Sequence, residues 1–182
     1  MYSAVLDACV LIPYPLFDVL LRCADKGMYR PLWSAEILDE TQRNLIKHLG
    51  LEPERAAKRV STMRRVFPDA TVTGHEGLVP AMTNDPKDRH VMAAAVRANT
   101  GLIVTANLKD FAPEHLEPYG VAAIHPDDFL LDLLDLNQVA VIRTLHQILA
   151  RNANPPTSVL ELVATLEETV PQFAAELTAL MR

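Results

Sequence analysis

Apolar residues run almost unbroken from Ala4 to Ile12, interrupted by Asp7 and closed by Pro13 and Pro15. A short apolar run bounded by prolines predicts a buried strand of a parallel sheet covered on both faces. The pattern then turns helical from Leu16 to Arg22, and Asp25-Lys26-Gly27 closes it. Ser34 is a good helix cap, Ile37, Leu38, Thr41, Leu45 and Leu49 give one broad face behind it, and Gly50 stands at the stop. A further helix is predicted over Pro53 to Val66, with proline in its first turn, and a short strand over Ala70 to Thr73.

Thr83-Asn84-Asp85-Pro86-Lys87-Asp88 reads as a helix entrance, with Asp85 as the cap, and the alanine-rich helix behind it reaches Asn99 before Gly101. Leu102 to Thr105 and Val121 to Ile124 read as strands, joined through the polar loop Ala106 to Phe111. Strands and helices alternate over residues 1–125, which predicts an α/β sandwich with a mainly parallel sheet. After Pro126 only helical patterns remain: Phe129 to Leu136, Val139 to Leu149, Val159 to Leu166 and Phe173 to Leu180, with breaks at Asn152–Pro156 and at Pro171. Residues 126–182 are therefore read as an all-helical C-terminal appendage.

Composition narrows the class. At 182 residues and 49% hydrophobic the chain suits one folded domain with an appendage, not a disordered polymer. Two cysteines, Cys9 and Cys23, exclude a disulfide framework and a CxxC zinc site. No apolar run approaches membrane-spanning length and the start lacks a basic leader, so a cytoplasmic protein without membrane attachment is expected. The net charge of −6 makes whole-molecule attraction to nucleic acid unexpected. Charge is uneven, however: residues 43–65 carry seven bases against two acids, while residues 126–182 carry three bases against eight acids.

An ionised carboxylate in a buried strand is costly unless it pairs, neutralises or binds metal, so Asp7 is the most informative residue. The alternative is a carboxylate at the strand end that caps the next turn. Glu40 sits near the apolar side of its helix. Asp85 and Asp88 open the alanine-rich helix, where acids meet orphan amides. Thr105, Asn107 and Asp110 follow a strand's carboxyl end, placed either for a site or for local turn bonds. Hard oxygen donors without cysteine pairs or spaced histidines favour Mg²⁺ or Mn²⁺. The six histidines form no HExxH or HxxxH pair and read as ordinary surface or core.

Val5-Leu6-Asp7-Ala8-Cys9-Val10-Leu11, Ser34-x-x-Ile37-x-x-Glu40, Asp85-Pro-Lys-Asp88-x-x-Val91-x-Ala93-Ala94 and Ile103-Val-Thr105-Ala-Asn107-x-x-Asp110-Phe111 resemble the PIN-domain ribonucleases. The order and spacing of these motifs match over about residues 1–125, and many bacterial members are VapC-type toxins of type II toxin–antitoxin pairs. The resemblance implies a PIN-like three-layer α/β/α sandwich and an acidic quartet of Asp7, Glu40, Asp88 and Asp110 that catalyses and holds metal. Asp85, Thr105 and Asn107 would support it. The spacing Asp-x-x-Val-x-Ala-Ala favours Asp88 over Asp85. Cys9 replaces the small hydroxyl or Asn that many relatives carry there, so the polar interaction made at that position is expected to be missing. The helical extension is similar to that of a longer-chain subset.

The implied activity is metal-dependent endonucleolytic cleavage of RNA, leaving 5′-phosphate and 3′-hydroxyl ends, by the toxin of a toxin–antitoxin pair. RNA, an antitoxin protein and a second copy of the chain are the implied partners. Arg43, Lys47, Arg59, Arg64 and Arg65 could form an RNA-facing stripe, or merely a solvated helix face. Two other readings stand beside this one. A haloacid-dehalogenase-like phosphatase also starts from a strand-borne Asp, but Cys9 replaces its second acid and only Asp127-Asp128 supplies a late acidic pair. A PIN-like scaffold without catalysis, binding protein or RNA, is the other.

Overall fold

The first apolar run divides in two. Its opening residues form β1 (Ser3–Leu6), whose Ala4, Val5 and Leu6 are fully buried, and the backbone then turns through a 3-10 segment at Ala8–Val10. Asp7 therefore stands at the strand's carboxyl end and not in its middle. The reason is local: Asp7 N makes the last bond to the neighbouring strand, at Val104 O, and the bonds Val10 N to Asp7 O and Leu11 N to Ala8 O close a turn. The computed structural model describes residues 2–151 and 158–180; the expected break at Asn152–Pro156 lies outside them.

The chain folds into two compact units, residues 1–12 with 29–125 and residues 13–28 with 126–182. In the first, β2 (Arg30–Ser34) is a strand that the hydrophobic pattern did not reveal, because Pro31 interrupts so short a run and argues against a strand inside a sheet. It runs straight into α2 (Ala35–Leu49), followed by α3 (Pro53–Val66) and a two-residue β3 (Thr71–Val72). The Asp85–Asp88 entrance folds as a 3-10 turn, Pro86–Asp88, ahead of α4 (Arg89–Arg97). Then come β4 (Leu102–Val104), the short α5 (Pro113–Leu116) and β5 (Ala122–Ile124).

All five strands are parallel, in the order β3-β2-β1-β4-β5. The architecture agrees with the α/β/α sandwich that the motifs implied. Helix α4 packs on β1, β2 and β4, and its Val91, Met92, Ala93, Ala94 and Ala95 are all buried. The alanines let helix and sheet approach closely, which fixes the position of Asp88 at the helix entrance.

The only regular elements among the described residues of the second unit are helices. It joins α1 (Leu16–Asp25) to α6 (Pro126–Leu136), α7 (Gln138–Arg151), α8 (Val159–Leu166) and α9 (Pro171–Leu180). Val19, Leu20, Phe129, Leu133, Val141, Leu145, Leu162 and Phe173 are buried within it. Helix α8 starts with a capping box, Ser158 and Glu161 exchanging bonds with each other's backbone amides. No helix among the described residues is long and apolar enough to cross a membrane.

Candidate active site

From β1 the chain builds the sheet outward on one side through β2 and β3, then crosses over to add β4 and β5 on the other. Beyond the carboxyl ends of two strands that part in this way lies a crevice, the general ligand site of open parallel sheets. Asp7 is the first residue after β1 and Thr105 the first after β4. Both side chains are buried, Asp7 to 3% exposure.

Thr105 Oγ1 donates to Asp7 Oδ2 at 2.7 Å, and Cys9 Sγ donates to the same oxygen at 3.2 Å. The polar interaction expected to be missing at Cys9 is thus present, made by a thiol. Asp7 makes no helix-cap bond, but it does bond the turn that follows, through the Cys9 thiol and the Ala8 backbone amide, so the expected alternative of a carboxylate serving the next turn is met in part. Burial pushes its carboxyl above the ordinary range, and the bonds from Thr105 and Cys9 pull it part of the way back. Burial and the Asp7 charge push the Cys9 thiol up to about 12, so at neutral pH it is a protonated donor.

Glu40 comes from α2. The helix is started by Ser34, whose Oγ accepts from Ile37 N at 3.2 Å, and stopped by Gly50 in the left-handed conformation at φ 61°. With 3.6 residues per turn, Glu36, Glu40, Arg43, Asn44 and Lys47 share one face. The first four of these line the crevice. Glu40 Oε2 lies 3.5 Å from His90 Nε2, and this partner holds the Glu40 carboxyl below its ordinary value. For His90, burial is the largest single influence and opposes the charge, but the bond to Glu40 together with the charges of Glu40, Glu36 and Asp7 outweighs it, and the imidazole titrates higher than usual.

Asp85 plays the capping part, accepting from Lys87 N at 3.1 Å. Asp88, three residues on, is buried, and its Oδ2 has no hydrogen-bond partner. Burial, and then the charge of Asp7, push Asp88 up to about 7. Lys87 Nζ lies 3.1 Å from Asp110 Oδ2 and 3.9 Å from Asp88 Oδ2. Asp110 ends the 3-10 turn Leu108–Asp110, and its carbonyl accepts from Asp85 N at 3.4 Å, tying the two acidic loops together.

Asp7, Glu40, Asp88, Lys87, His90 and Asn107 line one cleft of about 640 Å³, with Arg43 at its wall. Asp110 is joined to it through Lys87. Sequence reasoning missed Lys87 and His90. The signal was their position, one inside the Asp85–Asp88 turn and the other two residues beyond it, but metal-binding spacings, by which the histidines are judged above, pass over it.

The donor set consists of hard carboxylate oxygens, suited to Mg²⁺ or Mn²⁺, and Asp88 Oδ2, buried without a hydrogen bond and only loosely paired with Lys87, is an acceptor that a cation could engage. In the present arrangement no three His, Cys, Asp or Glu side chains among the described residues close on one point as a metal would require. The acids are instead drawn around Lys87, whose ammonium supplies the positive charge.

The basic candidates separate. Arg43 lines the cleft and Lys47 follows it one turn along α2. Arg59 Nη1 donates to Ile12 O at 3.2 Å. Arg64 lies 4.0 Å from Asp39, and Arg65 is exposed at the end of α3. Asp127, the acid a phosphatase reading would need, is engaged in the helical unit: its carboxylate accepts from Phe173 N at 2.8 Å and Gln172 N at 3.0 Å.

The PIN domain family model matches residues 3–109, more than half of the chain and including Asp7, Glu40 and Asp88. The chain belongs to the PIN-domain family. Asp110 falls one residue beyond that match. A second model, the VapC50 C-terminal domain, matches residues 126–179, the span of α6 to α9. This PIN-domain chain is 48% identical over 103 residues to a Mycobacterium tuberculosis protein named "Putative ribonuclease VapC50". The similarity covers 57% of the present chain and 61% of that relative, less than two thirds of its length. No solved structure matches.

Proposed function

We propose that this PIN-domain protein is a metal-dependent endoribonuclease and the toxin of a toxin–antitoxin pair. The observation that carries the reading is the convergence of Asp7, Glu40 and Asp88, from three separate chain segments, on one cleft at the carboxyl ends of β1 and β4. PIN-domain ribonucleases generally use divalent metals, and the naming of the Mycobacterium tuberculosis relative as a ribonuclease supports the same activity. Residues 1–125 are taken as the nuclease domain and 126–182 as its helical extension. A cytoplasmic location, an antitoxin partner and a homodimer accompany the reading.

Asp7, Glu40, Asp88 and Asp110 would hold Mg²⁺ or Mn²⁺, with Asp85, Thr105 and Asn107 in support. Bound there, such an ion supplies polarisation of a phosphodiester and a water of lowered pKa. The chain's own groups do the rest. Thr105 fixes the orientation of Asp7, and His90 holds Glu40 at the wall. Lys87 places a mobile positive charge beside Asp88 and Asp110. Arg43 and Lys47 extend a basic track along α2 by which the RNA backbone can enter despite the acidic floor.

The test is cleavage of a structured RNA by purified protein with Mn²⁺ or Mg²⁺, with the ends mapped. Cleavage that requires metal, leaves 5′-phosphate and 3′-hydroxyl ends, and disappears in Asp7→Asn supports the reading. Release of inorganic phosphate from small phosphoesters with RNA left intact would instead favour a phosphatase, and RNA binding without cleavage a non-catalytic module.

A further inference from the structure

The cysteine that departs from the family pattern lies within hydrogen-bond reach of the acid on which the proposed function depends. Two side-chain donors reach that carboxylate, beside the Ala8 backbone amide. Thr105 has one hydroxyl hydrogen, placed on Asp7 Oδ2 at 2.7 Å, and its oxygen accepts from Asn107 N at 3.1 Å. Cys9 has one thiol hydrogen, placed on the same Asp7 oxygen at 3.2 Å, while its sulfur accepts from Ala106 N at 3.3 Å. The two hydroxyl and thiol hydrogens are therefore both used on one carboxylate oxygen, and the 3.4 Å approach of Sγ to Thr105 Oγ1 needs neither.

The backbone amides of Ala106 and Asn107 thus fix the acceptor side of each group, and this directs its hydrogen toward Asp7. The loop after β4 is stitched to the end of β1 through the same two side chains. No side chain among the described residues donates to the other Asp7 oxygen. Cys9 also lines the cleft and is only part buried, so its place is at the site and not in the hydrophobic core.

We propose that Cys9 is a positioning residue: with Thr105 it clamps Oδ2 of Asp7 and so sets the carboxylate for a divalent cation. The inference rests on the reading of the cleft as a metal-dependent nuclease site. It assigns the thiol neither a nucleophilic nor a redox part. Groups that orient a metal-bearing carboxylate in this way commonly matter about ten- to a hundredfold for affinity or activity.

The experiment uses the full chain with Cys9→Ala, Cys9→Val, Cys9→Ser and Asp7→Asn. Mn²⁺ binding is measured by titration calorimetry, RNA cleavage as kcat and KM, and folding by thermal melting. The expected result for Cys9→Ala is a Mn²⁺ dissociation constant raised, and a kcat lowered, by about tenfold with KM for RNA unchanged. Cys9→Ser, which restores a hydrogen donor, returns both to the wild-type range. Cys9→Val fills the space without a donor and carries the same expectation if the alanine variant folds poorly. Wild-type Mn²⁺ affinity and kcat in a folded Cys9→Ala or Cys9→Val, with both lost in Asp7→Asn, would overturn the role of Cys9 alone. Equal impairment of Cys9→Ser and Cys9→Ala would overturn it as well. Undiminished Mn²⁺ binding and cleavage in Asp7→Asn would remove the site reading itself, and this proposal with it.

Discussion

Lys87 Nζ lies 3.1 Å from Asp110 Oδ2, which makes the lysine of the Asp85–Asp88 turn the counter-ion of the acidic loops. The side chain is 63% exposed, so the pair is held loosely and can be displaced. An ammonium and a divalent cation would seek the same carboxylates. Lys87→Gln is therefore expected to tighten Mn²⁺ binding by roughly two- to fivefold, the range an exposed ion pair is worth. Titration calorimetry reads this directly, and weaker binding in the variant would show that Lys87 assists the ion instead.

Asp88 adds a pH dependence with a definite sign. Its folded-state pKa is about 7, well above the roughly 3.9 of an unfolded aspartate, so between these values the folded protein binds more protons than the unfolded one. Stability of the metal-free protein therefore falls as pH rises through that window. Asp7, also raised by burial, acts in the same direction; Glu40, lowered by His90, acts only on the acid side of the ordinary glutamate range. In EDTA the melting temperature should be higher at pH 5.5 than at pH 7.5, and Asp88→Asn should flatten the difference. A profile that rises toward pH 7.5 in both proteins would contradict a burial-driven shift at Asp88.

What was legible in the sequence follows from what each element must satisfy locally. Helix α2 announced itself because Ser34, the apolar face and Gly50 are all short-range signals, and Asp7 stood out because a charge in an apolar run is costly, whereas Glu40, Asp88 and Asp110 were picked out by the motifs that resemble the family. Strand β2 was hidden, since its place in the sheet rests on pairing with β1 and β3 and not on Pro31 and Trp33 themselves. The partnership of His90 with Glu40 was hidden for the same reason: it joins α4 to α2 across the cleft, a relation that no spacing along the chain encodes. The place of α1 among the C-terminal helices is likewise a matter of tertiary packing.

The basic residues of α2 and α3 are not equivalent, and charge reversal should show it. Arg43 lines the cleft and Lys47 continues the same helical face, whereas Arg64 sits beside Asp39 and Arg65 at the end of α3. Arg43→Glu with Lys47→Glu is expected to weaken RNA binding strongly and to reduce its salt dependence, the slope falling by about one for each phosphate no longer neutralised. Arg64→Glu with Arg65→Glu should have the smaller effect. Affinities measured across a salt series decide between them, and an equal loss in both pairs would mean that the basic residues act as a diffuse field.

In the helical unit, Asp127 is a buried carboxylate serving as the cap of another helix. It is 3% exposed and accepts from Phe173 N at 2.8 Å, Gln172 N at 3.0 Å and Gln172 Nε2 at 3.3 Å. Two of these are orphan amides in the first turn of α9, behind Pro171, where no helical carbonyl can reach them. The negative charge also meets the positive end of the helix macrodipole. Asp127→Ala leaves the Phe173 amide buried and unpaired, and should destabilise the protein by about 3 kcal/mol, the upper range for a lost bond to a charged group. Asp127→Asn, which keeps one acceptor oxygen, should cost less. Urea unfolding followed by circular dichroism measures both. A wild-type midpoint in Asp127→Ala would show that solvent replaces the carboxylate at the start of α9.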